Sequence, residues 1–128
     1  MSNPTFKHGP ITFPAAEALE KFTLVTVNDD GAVAPAAATG GVFGAVTEKA
    51  DPENAALPTD IAVHYGTAAV KLRVAGGDAT VIKAGAAVFA AAAGEVAASG
   101  TVQVGVAARN GEGDRVLTVL NNLPTAGA

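Results

Sequence analysis

Three segments of the chain alternate apolar and polar side chains with a period of two residues, the pattern of a half-buried β-strand. In residues 70–74, two valines and a leucine alternate with a lysine and an arginine. Residues 61–65 and 102–106 show the same alternation. Further strands are predicted where β-branched residues cluster between turn signals, at residues 22–27, 42–47 and 116–120.

Turn-forming residues separate these strands about every eight to twelve residues, the spacing expected in a β-sandwich or a β-barrel. Residues 28–31 read Asn-Asp-Asp-Gly and predict a tight turn, because these residue types tolerate the left-handed backbone region. A return strand is predicted at residues 32–34, ended by Pro35. The chain is therefore predicted to be all-β, a small β-barrel or β-sandwich with an extended N-terminal arm and at most one short helix.

Two segments leave their local structure open. Residues 15–21 have respectable helix propensity but are too few for an independent helix, so we predict one helical turn or a structured bend. Residues 84–98 are rich in alanine, which favours helix, yet Gly85 and Gly94 interrupt them at a hairpin-like spacing. We predict a hairpin there, and the short strands of this region are placed at residues 81–82, 88–89 and 95–97.

Two similar segments place a glycine within a strand that ends in a charged loop. They are residues 43–51 and residues 104–114. Each has an apolar residue, a glycine, two or three small apolar residues and then a polar turn that ends in an acid. The similarity indicates a small β-domain that uses the same strand-and-turn segment twice. Neither segment matches a catalytic motif.

The first fourteen residues are predicted to form an extended arm, because three prolines remove backbone donors and restrict the residues before them. The arm carries apolar side chains that either pack on their own domain or dock on a neighbouring chain: Phe6, Ile11 and Phe13. The predicted organisation is an arm at residues 1–14, a β-rich domain at 15–120 and a short tail at 121–128.

Composition narrows the classes of function. The chain has 128 residues, enough for one domain with its own core, and no cysteine, which excludes disulfides and thiolate metal ligands. A net charge of -4 argues against a nucleic-acid partner. Many of the apolar residues are alanine, so the core is expected to be thin and to benefit from assembly. The longest apolar run, residues 84–93, is too short to cross a membrane, and no secretory signal is visible.

The sequence shows no recognisable grouping of catalytic residues. Nucleophilic catalysis needs an activated Ser, Thr or Cys beside a base, and the two serines lie in the arm and in a turn. His64 lacks companion ligands at metal spacing. The acid pairs at residues 29–30 and at Glu112 and Asp114 lie in glycine-containing turns, where acids satisfy the backbone. We predict no catalytic residue, no metal, no cofactor and no enzymatic activity.

One basic strand face is a candidate interaction surface. Lys71 and Arg73 are predicted on the same face of a strand, with Lys83 possible nearby. The face is either solvated, as most surface charge is, or a patch that meets an acidic partner surface.

The order and spacing of several short segments resemble the capsid cement, or head decoration, proteins of tailed bacteriophages. The resemblance covers roughly residues 15–120, and each segment alone carries little information. The segments, in order, are residues 18–22, 24–25 with the turn at 29–31, 42–47, two Val- and Lys-rich strands, 83–85 before 88–89, 94–96, 104–107 and 113–116.

The resemblance implies a small β-protein without an active site that binds the outer surface of the expanded icosahedral head and stabilises it. Such proteins form trimers at three-fold and quasi-three-fold sites, so the implied partners are the major capsid protein and further copies of the chain. The chain would be made in the cytoplasm of the bacterial host and reside on the virion. Neither nucleic acid nor membrane is an expected partner. The residues predicted to contact the capsid or a neighbouring subunit are Phe6, Lys7, Ile11, Phe13, Lys71 and Arg73.

Three alternatives come from other classes. A soluble ligand-binding β-barrel would need a concave aromatic pocket, for which Phe43, Tyr65 and Phe89 would have to converge. A small hydrolase or isomerase using carboxylates and His64 would need a grouping of these residues that the sequence does not supply. Another virion component, such as a tail protein, shares the composition and pattern of a decoration protein.

Overall fold

The computed structural model describes residues 10–121 and 123–125, and it confirms the all-β prediction. Phe6 and Lys7, two of the predicted contact residues, lie outside the described residues. The strands are β1 (Ile11–Pro14), β2 (Thr23–Val27), β3 (Val33–Pro35), β4 (Gly44–Val46), β5 (Asp60–Val63), β6 (Ala69–Arg73), β7 (Ala87–Ala90), β8 (Val96–Ala97), β9 (Gln103–Ala107) and β10 (Arg115–Leu120). Short 3-10 turns lie at Ala75–Gly77, Ala79–Val81 and Ala92–Gly94.

The strands form three antiparallel sheets, and within the described part of the chain none of them closes into a barrel. One sheet pairs β1 with β5, and a second has the order β3-β2-β4. The third has the order β6-β10-β9-β7-β8 and is called here the C-terminal sheet. The prediction of a small all-β domain is therefore confirmed, and an isolated bridge between Val74 and Val96 links the two edges of the C-terminal sheet.

The β3-β2-β4 sheet lies between two hydrophobic cores. Leu24 and Ala45 belong to a large core that the inner face of the C-terminal sheet completes. Their neighbours Val25 and Val46 belong to a small core completed by residues of β1 to β5 and the loops among them, including Leu19. Because both faces of this sheet are covered, β2 is buried at consecutive positions and does not alternate apolar with polar residues.

Strand β9 departs from the alternation that the sequence predicts. Val104 is buried as expected, but Val106 is exposed and Ala107 is buried instead. The reason is a bulge: Val88 pairs with Gly105 and Phe89 with Gln103, which leaves Val104 as an extra residue. A bulge shifts the phase of the strand by one residue, so the prediction that residues 102, 104 and 106 share a face is wrong.

Of the two alternatives for residues 15–21, the bend is confirmed and the helical turn is not formed. Leu19 and Ala50 exchange backbone hydrogen bonds of 2.7 and 3.1 Å there. The strand predicted at residues 81–82 is wrong, because Val81 ends the 3-10 turn Ala79–Val81. Asp78 caps the N-terminus of that turn, because its carboxylate accepts a hydrogen bond from the backbone N–H of Thr80 at 3.0 Å. Local capping therefore overrides β-propensity at these residues.

The predicted hairpin in the alanine-rich segment is confirmed. Strands β7 and β8 pair antiparallel, joined through the turn Ala92–Gly94. Ala93 and Gly94 both adopt positive φ, 59° and 75°. Left-handed backbone at these two residues is incompatible with a right-handed helix through the turn.

The two similar glycine segments have a shared structural cause. A Cβ at Gly44 would collide with the carbonyl oxygen of His64, and a Cβ at Gly105 would collide with that of Val119. Each glycine thus permits a neighbouring strand to approach closely.

The C-terminal tail also packs on the domain. Leu123 joins the large core, and Thr125 exchanges hydrogen bonds with the backbone of Val42.

Candidate interaction surface

The outer face of the C-terminal sheet carries a row of apolar side chains across four strands. Ala69 pairs with Val119, Val119 pairs with Val106, and Val106 pairs with Ala87. Val106 and Val119 are each 36% exposed. Directly opposed residues of neighbouring strands contact each other, so these four side chains form one continuous strip, called here the apolar row.

Basic side chains lie beside the apolar row on the same face. The next pair along β6 and β10 is Lys71 with Leu117, followed by Arg73 with Arg115. A shallow cavity of about 250 Å³ opens at this end of the face. Three of its six lining residues are cations, and it is called here the basic cavity: Lys71, Arg109, Asn110, Glu112, Arg115 and Leu117.

Arg73 and Lys71 share a strand face, as the sequence predicts, but their surroundings differ. The Arg73 guanidinium donates to Thr23 Oγ1 at 2.9 Å and to the Lys21 carbonyl at 3.2 Å. It also forms an ion pair with Glu95 at 3.4 Å. Arg73 therefore links the C-terminal sheet to β2 and its approach, and its charge is compensated within the domain.

Lys71 forms no ion pair with any described residue, and the same holds for Arg109. Both side chains are exposed. Arg115 is also exposed but has partners: its Nε lies 3.4 Å from Asp114 Oδ1, and its guanidinium carbon lies 4.6 Å from the centroid of the Phe22 ring. Lys71 and Arg109 are thus the cations of this face that remain available to an external anion.

Ile11 and Phe13, the described apolar residues of the predicted arm, belong to strand β1. They pair with Val63 and Ile61 of β5, so this part of the arm is a strand of the domain itself. Phe13 packs against the small core and meets the Phe43 ring edge-on at 5.2 Å between centroids. The intramolecular alternative accounts for Phe13, and a contact of either residue with another chain stays a prediction.

The three aromatics of the ligand-binding alternative do not converge. The Phe43 and Tyr65 rings lie 5.9 Å apart beside the small core. Phe89 lies on β7, between two residues that face the large core, so its side chain is on the outer face of the C-terminal sheet. The pocket that this alternative requires is therefore not formed by these residues.

Groups with potential chemistry lie apart from one another. Within residues 10–121 and 123–125, no three His, Asp or Glu side chains come close enough to hold a metal ion. The pKa of Asp78 is lowered, chiefly by the hydroxyl of Thr80, then by its backbone N–H, and to a smaller extent by Lys83. The described residues contain no helix with the length and apolar character needed to span a membrane.

Acidic and basic residues are distributed unequally along the chain. The net charge alone hides this difference, which points to the basic surface. Residues 1–64 carry eight acidic and three basic side chains, whereas residues 65–128 carry four acidic and five basic ones. Four of the eight lysines and arginines lie on or beside the outer face of the C-terminal sheet. An overall acidic protein thus has a locally basic and apolar surface.

Comparison with known proteins identifies a shared fold. No family model and no curated protein matches the chain. Among solved structures, the chain is similar to the N base of the head fiber protein gp8.5 of bacteriophage phi29, with a TM-score of 0.64 and 20% sequence identity. The superposition covers 91% of this chain and 96% of that one. At this identity the likeness shows a common fold over nearly the whole length of both chains.

Proposed function

We propose that the protein is a structural component of a bacteriophage virion, a capsid decoration protein that binds the outer surface of the expanded head. The observation that carries the proposal is the fold shared with the base of a phage head fiber over 91% of the chain. The order of short segments that resembles head decoration proteins supports it independently, because this resemblance rests on sequence and not on fold. A fold alone does not define a function, so binding to heads is the property to measure.

The proposed mechanism is adhesion without catalysis or cofactor. A single interface below about 1,200 Å² is usually weak. A subunit that contacts the major capsid protein and two sister subunits of a trimer is held at several points, and effective concentration can raise avidity by about 10² to 10⁴. Binding to the expanded lattice alone then stabilises that lattice by mass action.

The direct test is co-sedimentation of the purified protein with undecorated heads of its own phage. Expanded and unexpanded heads are compared at the same concentration of capsid protein. We expect saturable binding to expanded heads and a rise in the temperature at which those heads rupture. Absence of binding to both forms would contradict decoration and would direct the search to tail assemblies.

The proposed trimer and the proposed contact through the arm need separate measurements. Sedimentation velocity of the free protein, and counting of bound copies per head, test the trimer. Deletion of Met1 to Pro10 removes Phe6 and Lys7 but leaves β1 intact, since β1 begins at Ile11. We expect weaker binding to heads from this deletion at an unchanged melting temperature. Unchanged binding would exclude a contact through this part of the arm.

A further inference from the structure

We propose that the outer face of the C-terminal sheet is the surface that docks on the head shell, and that it recognises an acidic protein surface with an apolar centre. The inference rests on the proposed function and adds to it the face that meets the shell. Two features of the face carry it: the apolar row and the basic cavity next to it.

The apolar row is unusual for a solvated sheet face. An antiparallel sheet with one face in water normally places polar residues on that face. Here Ala69, Val119, Val106 and Ala87 lie side by side across four neighbouring strands, which at about 4.8 Å per strand gives a strip of about 15 Å. Contiguous exposed apolar surface of this kind marks an interaction site more often than scattered apolar residues do.

The bulge in β9 creates this strip. Without the extra residue at Val104, the phase of the strand would place residue 106 toward the large core. The bulge instead turns Val106 outward, between Val119 and Ala87. Bulges commonly re-aim side chains at functional positions, and here the re-aimed side chain completes the row.

The basic cavity specifies the charge of the partner. Three cations line it, Lys71, Arg109 and Arg115, against one acid, Glu112. Lys71 and Arg109 form no ion pair with a described residue. A carboxylate from the partner would gain charge-assisted hydrogen bonds in this cavity, while the apolar row covers an apolar patch beside it.

The remaining surface argues for a protein partner. The net charge of -4 repels a polyanion such as DNA over most of the molecule, so three cations at one cavity suit a few carboxylates and not an extended phosphate backbone. A second copy of this chain also presents acids, chiefly in residues 1–64. The test below therefore separates a contact with the shell from a contact between copies.

The experiment compares two double charge reversals that change the net charge equally. The first, Lys71→Glu with Arg109→Glu, alters the basic cavity. The matched control, Lys21→Glu with Lys49→Glu, alters exposed lysines of the N-terminal half. Binding to expanded heads is measured by co-sedimentation over a range of salt concentrations, with melting curves to verify folding. We expect the cavity reversal to weaken binding by at least about tenfold and the control by less than about threefold.

A second pair of variants tests the apolar row. Val106→Ser with Val119→Ser removes its centre, and Val81→Ser, at a valine 58% exposed on the 3-10 turn, is the control. We expect weaker binding from the first variant and wild-type binding from the second.

Each outcome bears on one of the two proposals. If the wild-type protein binds expanded heads and both face variants bind equally well, the docking face is wrong and the proposed function stands. If the wild-type protein binds no heads, the proposed function fails and the inference fails with it. If the face variants lose self-association in sedimentation velocity while keeping their affinity for heads, the face joins copies of the chain and the inference is overturned.

Discussion

The two cores of the protein are built from similar residues but are enclosed by different surfaces. The small core is enclosed by β1 to β5, the N-terminal region, where aromatic rings cluster and acids outnumber bases. The large core is enclosed by the C-terminal sheet, whose outer face is apolar and basic. Both interiors consist mainly of valine, leucine, isoleucine and alanine, since burial of apolar side chains away from water stabilises each core. The difference in the exteriors is the reason why we propose the C-terminal sheet, and not the N-terminal region, as the docking face.

The two regions also differ in how independent they are. They share the β3-β2-β4 sheet, in which adjacent residues such as Leu24 and Val25 face opposite cores. Neither core can lose this sheet without exposing the other. We therefore expect the two regions to unfold together although their surfaces differ in charge and apolar character.

The largest effects are expected from truncation within each core. Leu24→Ala in the large core and Leu19→Ala in the small core each remove a fully buried side chain, 0% and 1% exposed. Each should lower the free energy of unfolding by about 2–5 kcal/mol. Denaturant unfolding followed by far-UV circular dichroism, compared with fluorescence of Tyr65, measures both the loss and its cooperativity.

Tyr65 is the only tyrosine of the chain and packs beside the small core, so its signal reports on the N-terminal region. Coincident transitions for both variants would support a single cooperative unit. Separate transitions, with Leu19→Ala affecting only the tyrosine signal, would show two independently stable regions. Leu117→Ala, at a half-buried leucine of the outer face, is the control and should cost less than either.

The next largest loss of stability is expected at the two glycines, one in each region, that allow a neighbouring strand to pack closely against the backbone. Gly44→Ala and Gly105→Ala force a methyl group against a neighbouring carbonyl oxygen, which must move. We expect a loss of about 1–3 kcal/mol from each, typical of overpacking. Thermal melting measures it, with Gln103→Ala, at an exposed position of β9, as the control. Wild-type stability for either glycine variant would show that the strands separate freely there.

A smaller effect should distinguish the two cations that the sequence assigns to one face. Arg73→Ala removes hydrogen bonds to Thr23 and Lys21 and an ion pair with Glu95, so we expect a loss of about 1–2 kcal/mol. Lys71→Ala, without an ion pair in the described structure, should stay within about 0.5 kcal/mol of the wild type. Chemical denaturation measures both. Equal losses would contradict the division into a structural cation and an available one.

Much of the local structure is predictable because it depends on neighbours in sequence. The alternation in residues 70–74 places Lys71 and Arg73 on one face. Asn28 closes the turn before Ala32 by accepting hydrogen bonds at its side-chain oxygen. The hairpin of β7 and β8 follows from its glycines. These features need only the period of a strand and the backbone preferences of individual residues.

The rest depends on contacts between residues distant in sequence. Arg73 meets Thr23 across 50 positions, a pairing that no local pattern predicts. The apolar row requires the strand order β6-β10-β9-β7 and a bulge at Val104. Arg109 reaches the basic cavity only because β9 and β10 pair beside β6. The candidate surface is therefore a product of topology, and its two predicted cations were the part accessible to sequence reasoning.

The smallest test concerns Asp78, in the loop between β6 and β7, where the Thr80 hydroxyl is the main cause of a lowered pKa. A carboxyl whose pKa is lower in the folded state stabilises the fold above its unfolded pKa and loses that contribution as pH falls through the folded pKa. At a pH where free carboxyls begin to protonate, Asp78 therefore stays ionised and keeps its negative charge. Thr80→Val should raise the pKa of Asp78 in an NMR titration and reduce the loss of stability below about pH 4. Lys83→Ala, which removes the weakest cause, should raise it less. A larger shift from Lys83→Ala would mean that charge, and not the hydroxyl, holds this acid ionised beside the C-terminal sheet.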